Sequence, residues 1–202
     1  MQYYLKTNLP RDPLKSYKET FNEVIEQLGG GGYIEYNPDI LNAETLSALD
    51  NYKLTPWFVV VFAYSIKFES NRQPFIHVDI THTNNKWHKL SFGLHYDLFN
   101  NNQISWFDVP SNTTEVYPTI EDGKKFKLRG IHYNKKLCPD LPVGTEQIDS
   151  AITGEPLIIR TDVPHRINFN KESNRLCICI RFKESLKNWS TIVNHLRDSV
   201  IT

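Results

Sequence analysis

The sequence predicts a mainly β domain, an antiparallel sandwich or barrel with helices at both ends of the chain. Between residues 56 and 183, eight short runs rich in Val, Ile, Phe, Tyr and Trp alternate with turn clusters. Apolar residues at helical spacing occur before and after that region. The chain has 202 residues, of which 40% are hydrophobic and 23% charged, and this is the composition of one globular domain.

The first segment has the pattern of a helix. Asp12 is the expected N-cap and Pro13 the first helical residue. Apolar side chains then recur at helical spacing at Leu14, Tyr17, Phe21, Val24, Ile25 and Leu28. The four glycines at 29–32 are expected to end this helix. A phosphate-binding loop would need a helix after the glycines, whereas residues 33–36 alternate like a strand.

Two further helices are predicted outside the β region. One runs from Asn42, its N-cap, to about Tyr52. The other spans 184–201. Its apolar stripe consists of Leu186, Trp189, Val193, Leu196 and Val200. Such a stripe is expected to pack against one face of the sheet.

The β region divides into eight predicted strands. They are Trp57–Phe68, Phe75–Ile80, Lys89–Leu98, Gln103–Val109, Lys124–Tyr133, Glu146–Ile152, Pro156–Asp162 and Arg175–Lys183. No helix of useful length fits between them, and among antiparallel architectures the jelly roll has eight strands. We therefore expect a single domain with helical support at 1–55, a β core at 56–183 and a C-terminal helix within 184–202.

Charge and apolar patterning exclude several classes of protein. Lys and Arg number 23, as do Asp and Glu, so the formal net charge is zero and nucleic acid is not an expected partner. The longest apolar run, Trp57 to Tyr64, has the length of a strand and not the roughly 20 residues of a membrane span. The N-terminus lacks the layout of a signal peptide.

Cys177 and Cys179 alternate on one predicted strand, which is a poor geometry for a disulfide, so a reducing, cytoplasmic location is expected.

Two histidines lie in distinctive surroundings. His77 and Asp79 are two residues apart on a predicted strand, so their side chains project to the same side and could reach one ion. An ordinary, partly exposed pair is the alternative. His165 follows the apolar strand 156–162, just after a proline. A turn histidine that caps the strand end is the alternative there.

Arg175 opens an apolar run ten residues after His165 (175 − 165). A guanidinium in such a run needs an anionic partner, because an unpaired buried charge is very costly. The partner could be a carboxylate of the protein, such as Glu155 or Asp162, or the carboxylate of a ligand. Two His and one carboxylate on neighbouring strands make the facial triad of non-haem Fe(II) oxygenases, which leaves coordination positions open.

The order His77-x-Asp79, His165, Arg175 resembles the 2-oxoglutarate/Fe(II)-dependent oxygenase superfamily, and the stretch 156–165 is similar to its strand before the distal His. The small stand-alone hydroxylases of prolyl or aspartyl/asparaginyl type are the relatives it suggests. The resemblance implies a double-stranded β-helix (a cupin-like jelly roll) in which His77, Asp79 and His165 are the catalytic iron ligands. It implies that Arg175 holds the 5-carboxylate of 2-oxoglutarate.

The same resemblance implies the reaction. An unactivated C–H bond of a peptide or protein side chain, or of a small molecule, would be hydroxylated with O2 while 2-oxoglutarate is converted to succinate and CO2. Some relatives carry a Ser two residues after the Arg, where this chain has Cys177, a weak donor. Ser91 and Tyr96 are the alternative donors to the co-substrate. Trp87 and Trp106 are candidates for the substrate entrance, although most Trp residues of such a domain only pack.

Other residues have weaker patterns. The loops 109–119 and 134–146 are candidate substrate lids. His95 shares a face of its predicted strand with Ser91, Gly93 and Asp97 and could line the pocket, but it is not counted among the candidate site residues. Cys177 and Cys179 are interpreted as small core residues, because a C-x-C with one other Cys lacks the ligand count of a structural zinc site. The remaining histidines are expected to be solvated in turns or on the surface: His82, His88, His132 and His195.

Two other functions stay open. One is a jelly-roll binding module without catalytic activity. The other is a cupin-type metalloenzyme that does not use 2-oxoglutarate, against which Arg175 argues. The prime substrate and the oligomeric state are left open by the sequence.

Overall fold

The computed structural model describes residues 2–65, 76–83, 86–99, 102–118, 129–133, 141–168 and 174–200. This part of the chain is mainly β, with two antiparallel sheets and three α-helices. The helices are α1 (Tyr17–Gln27), α2 (Ala43–Asn51) and α3 (Trp189–Val200). The strands are β1 (Tyr4–Lys6), β2 (Gly31–Tyr36), β3 (Pro56–Tyr64), β4 (His77–Thr83), β5 (Lys86–Lys89), β6 (Phe92–Asp97), β7 (Gln103–Asp108), β8 (Arg129–His132), β9 (Glu146–Ile152), β10 (Leu157–Arg160), β11 (His165–Asn168) and β12 (Arg175–Phe182).

The strands form two six-stranded sheets. The first has the order β1-β10-β6-β12-β3-β2. The second has the order β5-β4-β11-β7-β9, with β8 also paired to β4. Side chains from the two sheets meet between them: Ile104 and Trp106 of the second sheet form one apolar cluster with Leu157 and Ile159 of the first. The fold is therefore a sandwich with an interior between its sheets.

Alternation along β12 separates two environments. Leu176, Ile178, Ile180 and Phe182 belong to the largest apolar cluster, which also contains residues of the helices. The side chains between them point into the sandwich. They are Arg175, Cys177, Cys179 and Arg181. The helical segments thus cover the outer face of the first sheet, as the sequence predicted.

The first helix begins later than predicted. Its N-cap is Ser16, and the expected cap, Asp12, instead accepts a hydrogen bond from the backbone N–H of Leu14 (3.2 Å). The residues directly after Asp12 are not helical, because Leu14 forms a β-bridge with Leu41. The predicted stop is confirmed: Gly29 has a φ of 65°, a left-handed conformation that suits glycine.

The other two helices follow the prediction with one difference. The side chain of Asn42 accepts the backbone N–H of Thr45 (2.8 Å) and so caps α2 as expected. The C-terminal segment is divided, because a 3₁₀ turn at Lys183–Leu186 precedes α3. Asn188 separates the two and accepts the N–H of Thr191 (2.9 Å).

The strand predictions hold for the described parts, and β2 contains residues 33–36, which alternate like a strand in the sequence. Three further strands were missed. These are the short elements β1, β5 and β11. They have three or four residues each, too few for a pattern of alternation. β11 matters most, because His165, which we placed where a strand emerges, begins it. The predicted residues 66–68, 75 and 124–128 lie outside the described part, as does most of the lid predicted at 134–146. No helix in the described part of the chain is long and apolar enough to cross a membrane.

The cap of α2 offers a stability test. Asn42 accepts from Thr45, and its amide also donates to the carbonyl of Asp12 (2.7 Å). We expect Asn42→Ala to lower the free energy of unfolding by about 1–2 kcal/mol in urea titrations. Asn22→Ala, on the exposed side of α1, is the control and should change it by less than about 0.5 kcal/mol. Equal effects of the two substitutions would contradict the capping role.

Candidate metal centre

Two neighbouring strands bring the three predicted ligands together. His77 and Asp79 lie at the start of β4, and His165 begins β11, where it pairs in register with His77. The rings of His77 and His165 are 4.5 Å apart between centroids. Each of the three residues offers one ligand atom, and these atoms lie within 4.8 Å of one another. The structure thus gathers a His-Asp-His set that can hold a metal ion.

His165 is oriented by the backbone. Its Nδ1 lies 2.8 Å from the carbonyl oxygen of Val163. Because a carbonyl only accepts, Nδ1 carries the proton and the lone pair of Nε2 is left for a metal. Burial and the neighbouring His77 lower the pKa of His165 to about 3, so the ring is neutral at neutral pH.

Asp79 is held by an arginine from the opposite sheet. Arg181 Nη2 donates to Asp79 Oδ2 at 2.5 Å, and the other oxygen, Oδ1, lies 3.5 Å from His77 Nε2. Burial alone would raise the pKa of Asp79, but Arg181, His77 and His165 outweigh it and hold the pKa well below its usual range. The carboxylate is therefore ionised, and Oδ1 faces the histidines.

The path of Arg181 across the sandwich depends on Gly93. A Cβ atom at Gly93 would lie 1.8 Å from Arg181 Nη1, so any larger residue would block the guanidinium. Arg181 is 3% exposed, and its Nε and Nη1 have no hydrogen-bond partner among the described residues. We did not predict this role. The signal was present, since Arg181 stands in the same apolar run as Arg175 and faces the same side.

Arg175 lies at the other end of the interior face of β12. Its Nε is 3.8 Å from Asp97 Oδ2, and the amide of Asn102 donates to the same oxygen. Burial raises the pKa of Asp97, although Arg175 opposes that shift. The protein partners considered from the sequence are wrong, because Glu155 pairs with Arg11 and Asp162 with Arg160. Asp97 was not predicted.

The two hydroxyl groups suggested as helpers do not lie beside Arg175. Ser91 Oγ donates to the carbonyl of Ser185 (3.0 Å), which joins the start of β6 to the segment after β12. Tyr96 is on the face of β6 opposite His95 and Asp97 and belongs to the helix-covered cluster. Burial there raises the pKa of its phenol. Tyr96 therefore points away from the interior, a consequence of strand alternation.

The two tryptophans occupy different sides of the second sheet. Trp106 pairs in register with His165 and is fully buried, and its Nε1 donates to the carbonyl of Arg160 (2.8 Å). Trp106 therefore packs beside the triad in the interior and does not line an exposed substrate entrance. The ring of Trp87 is T-shaped to that of His82, with centroids 4.8 Å apart. Trp87 packs with Val78 and Ile80, on the face of β4 opposite His77 and Asp79.

β8 borders the triad at His77 and Asp79. The side chain of His77 is 30% exposed, and His132 pairs with it in register. Gly130 pairs with Asp79, and a Cβ atom there would lie 3.3 Å from two carbon atoms of His77. His132, which was expected in or beside a turn, is the last residue of β8 and lies next to the triad.

A cavity of about 580 Å³ adjoins the strand end that carries His165. Its lining includes Val163 and Pro164, which directly precede that histidine, and Tyr133, which follows His132. Residues 109–111, Thr113 and Glu115 of the loop predicted as a lid also line it. Tyr133 donates to Glu115 at 3.1 Å, so one carboxylate faces this space.

A second group of donors lies on the interior face between the two arginines. His95, Cys177 and Cys179 are all buried, and their donor atoms lie within 4.8 Å of one another. Hydrogen bonding from Cys177 lowers the pKa of the Cys179 thiol, and burial raises that of Cys177. The prediction that the cysteines are small core residues is confirmed, because they pack with Phe58, Val60 and Leu90. It omitted His95, which β6 brings opposite Cys179.

The fold and these clusters define a mainly β protein whose interior carries a metal-binding-capable His-Asp-His set. Comparison with protein-family models and with curated proteins finds no match for this chain. Any functional conclusion therefore depends on the geometry of the chain's own residues.

The Arg181–Asp79 pair should be important for stability. Arg181→Met leaves the Asp79 carboxylate buried without its cation, and Gly93→Ala pushes the guanidinium away from it. We expect Arg181→Met to lower the free energy of unfolding by about 3–5 kcal/mol, measured in urea. Arg11→Met is the control, because its pair with Glu155 is exposed and should contribute less than about 1 kcal/mol. A wild-type-like Arg181→Met would contradict the structure.

Burial of His165 should make the metal-free protein sensitive to acid. Its pKa is about 3 when folded and about 6.5 when unfolded, so the folded state binds fewer protons between these values. The stability from the neutral ring is complete above about pH 6.5 and is lost as the pH falls, by up to about 1.4 kcal/mol per pH unit. Urea unfolding in a chelator should show a shallower dependence for His165→Gln. Asn22→Ala, which removes no titratable group and lies on the exposed side of α1, should keep the wild-type slope.

Proposed function

We propose that the protein is a non-haem Fe(II)- and 2-oxoglutarate-dependent oxygenase that hydroxylates an unactivated C–H bond. The observation that carries this proposal is the convergence of His77, Asp79 and His165 on one point of the sandwich interior. Two imidazoles and one carboxylate are the donor set of this enzyme class.

The strand order supports a double-stranded β-helix. Eight strands form the core: β3, β4, β6, β7, β9, β10, β11 and β12. Counted along the chain, the first sheet contains core strands 1, 8, 3 and 6 side by side, and the second contains 2, 7, 4 and 5. Consecutive core strands therefore mostly change sheets, as in an eight-stranded jelly roll. The triad then lies on strands 2 and 7, which are neighbours.

The residues present fit an Fe(II) ion. His77, Asp79 and His165 would hold it, and the bound iron with 2-oxoglutarate and O2 would supply the oxidising chemistry. The chain's own contribution is orientation. Arg181 occupies one oxygen of Asp79 and leaves the other towards the histidines, and the carbonyl of Val163 sets the tautomer of His165. Trp106 and the buried surroundings of His165 exclude water from that side.

Binding of the co-substrate is assigned to the guanidinium groups of β12. Arg175 and Arg181 are six residues apart on this strand, about 20 Å, which is longer than the five-carbon chain of 2-oxoglutarate, so they are alternative partners and not the two ends of one bound molecule. Arg175 is the proposed partner of the 5-carboxylate, with Asp97 as its present counter-ion. Arg181, beside the metal ligands, has N–H groups without a partner among the described residues and is a second candidate for a carboxylate.

The cavity lined by Val163 and Pro164, the two residues directly before His165, is the proposed place of the prime substrate; its lining residues do not include the triad itself. Its volume of about 580 Å³ lies in the range of small-molecule sites. It could admit a peptide side chain or a small molecule, and Glu115 could accept a hydrogen bond from either. The net charge of zero gives no support to a nucleic-acid substrate. Cys177 and Cys179 are free thiols, which supports a reducing, cytoplasmic location.

One observation favours a second candidate, a metal-binding protein without oxygenase activity. Asp97 already neutralises Arg175, and a ligand carboxylate would have to compete with it or share the guanidinium. In that case iron would bind the triad and 2-oxoglutarate would have no effect.

Anaerobic titration with Fe(II) and then 2-oxoglutarate distinguishes these functions. The oxygenase should show the weak visible charge-transfer band of an iron-chelated oxo acid. His165→Ala should abolish the band, whereas His195→Ala, remote on α3, should keep it. Iron binding without a band would favour the second candidate, and absence of iron binding would overturn both.

The same titration tests the assignment of Arg175. We expect Arg175→Ala to weaken 2-oxoglutarate binding by about 10- to 100-fold, because charge-assisted hydrogen bonds contribute about 1.5–3 kcal/mol each. The surface variant Arg11→Ala is the control. A normal affinity in Arg175→Ala would refute the assignment and direct attention to Arg181, for which Arg181→Lys preserves the charge beside Asp79.

A further inference from the structure

We propose that His95, Cys177 and Cys179 form a second metal site, which takes a thiophilic ion of the Zn²⁺ type inside the sandwich. β12 supplies both thiols from its interior face, and β6 supplies the imidazole, with His95 in register opposite Cys179. Among the described residues, two groups of His, Cys, Asp and Glu donors lie close enough to hold one ion, and this is the group other than the triad.

The distances between donors match one tetrahedral ion. A zinc ion about 2.3 Å from sulfur and about 2.0–2.1 Å from nitrogen implies donor separations of about 3.8 Å between sulfurs and about 3.6 Å between sulfur and nitrogen. The two Sγ atoms are 3.9 Å apart. His95 Nδ1 is 3.7 Å from Cys177 Sγ and 3.3 Å from Cys179 Sγ. Nε2 of the same ring is 3.3 Å from Cys177 Sγ, so ligation through Nδ1 requires the ring to turn away from that contact. Three donors thus form one face of a coordination tetrahedron.

The charge balance of the interior is compatible with a divalent ion. Two thiolates would neutralise it, which matters because all three side chains are at most 3% exposed. The guanidinium groups on either side are already paired, Arg175 with Asp97 and Arg181 with Asp79. An ion at this place therefore leaves no uncompensated charge among these groups.

The two donor sets should select different metals. The triad of His77, Asp79 and His165 presents nitrogen and oxygen, whereas the second set presents two sulfurs and one nitrogen. Thiolate ligands favour soft ions such as Zn²⁺ and Cu⁺. The two sets have no ligand in common, so the second site does not depend on the proposed oxygenase function.

Cobalt is the probe, because Co²⁺ replaces Zn²⁺ and reports its ligands. Since the donors are buried, the protein is produced in zinc-depleted, cobalt-supplemented medium and purified under reducing conditions without oxygen. We expect about one cobalt per chain in His165→Ala, where the triad is disrupted, and up to two in the wild type. Both proteins should show an intense near-ultraviolet sulfur-to-cobalt charge-transfer band, which Zn²⁺ removes on exchange. The triad contains no sulfur, so the band is specific to the second site. His165→Ala, which disrupts the triad, should retain it.

Matched variants assign the band. Cys177→Ser and Cys179→Ser should each abolish or strongly shift it, whereas Cys138→Ser, at the third cysteine of the sequence, should leave it unchanged. If the serine variants do not fold by circular dichroism, His95→Gln keeps both thiols and should weaken metal binding by about tenfold or more. Absence of the band in wild-type protein would overturn the proposal. So would its persistence in the serine variants, or undiminished binding in folded His95→Gln.

Discussion

The ion pair between Arg181 and Asp79 is the interaction on which the centre of the structure depends. It joins the two sheets, because Arg181 belongs to the first and Asp79 to the second. Gly93 makes it possible by leaving the space that the guanidinium occupies. The pair keeps a buried carboxylate ionised and turns one of its oxygens towards His77. Without it, the triad would contain a buried and unbalanced charge.

The face of β12 that points into the sandwich carries charged side chains. Their burial is tolerated because each charge there has a partner. Arg175 has Asp97, Arg181 has Asp79, and the thiols between them contact His95. The other face of the same strand is wholly apolar and packs under the helices. A strand that is buried on both faces can therefore carry a row of charged and polar side chains, provided that the neighbouring strands supply side chains that pair with them. A hard donor set and a soft donor set can therefore lie in one interior and remain chemically distinct.

Much of the architecture could be predicted from local patterns. Apolar spacing and caps located α2, the glycine stop after α1 and most core strands, because these features arise within a few residues of chain. Asp12 shows the limit: it has the sequence of an N-cap, but the bridge between Leu14 and Leu41 draws the following residues away from the helix. The short strand β11 has no recognisable pattern of its own, since its pairing with β7 forms it.

The sequence by itself determined the residue types of the proposed triad and their order, since the H-x-D spacing on a strand and a histidine after an apolar strand can be recognised locally. Tertiary structure alone decided which partners complete the interior. Asp97 and not Glu155 or Asp162 meets Arg175, Arg181 reaches Asp79, and His95 joins the two cysteines. These contacts link residues far apart in the chain. They depend on strand register and on which sheet each strand joins, and local spacing contains neither.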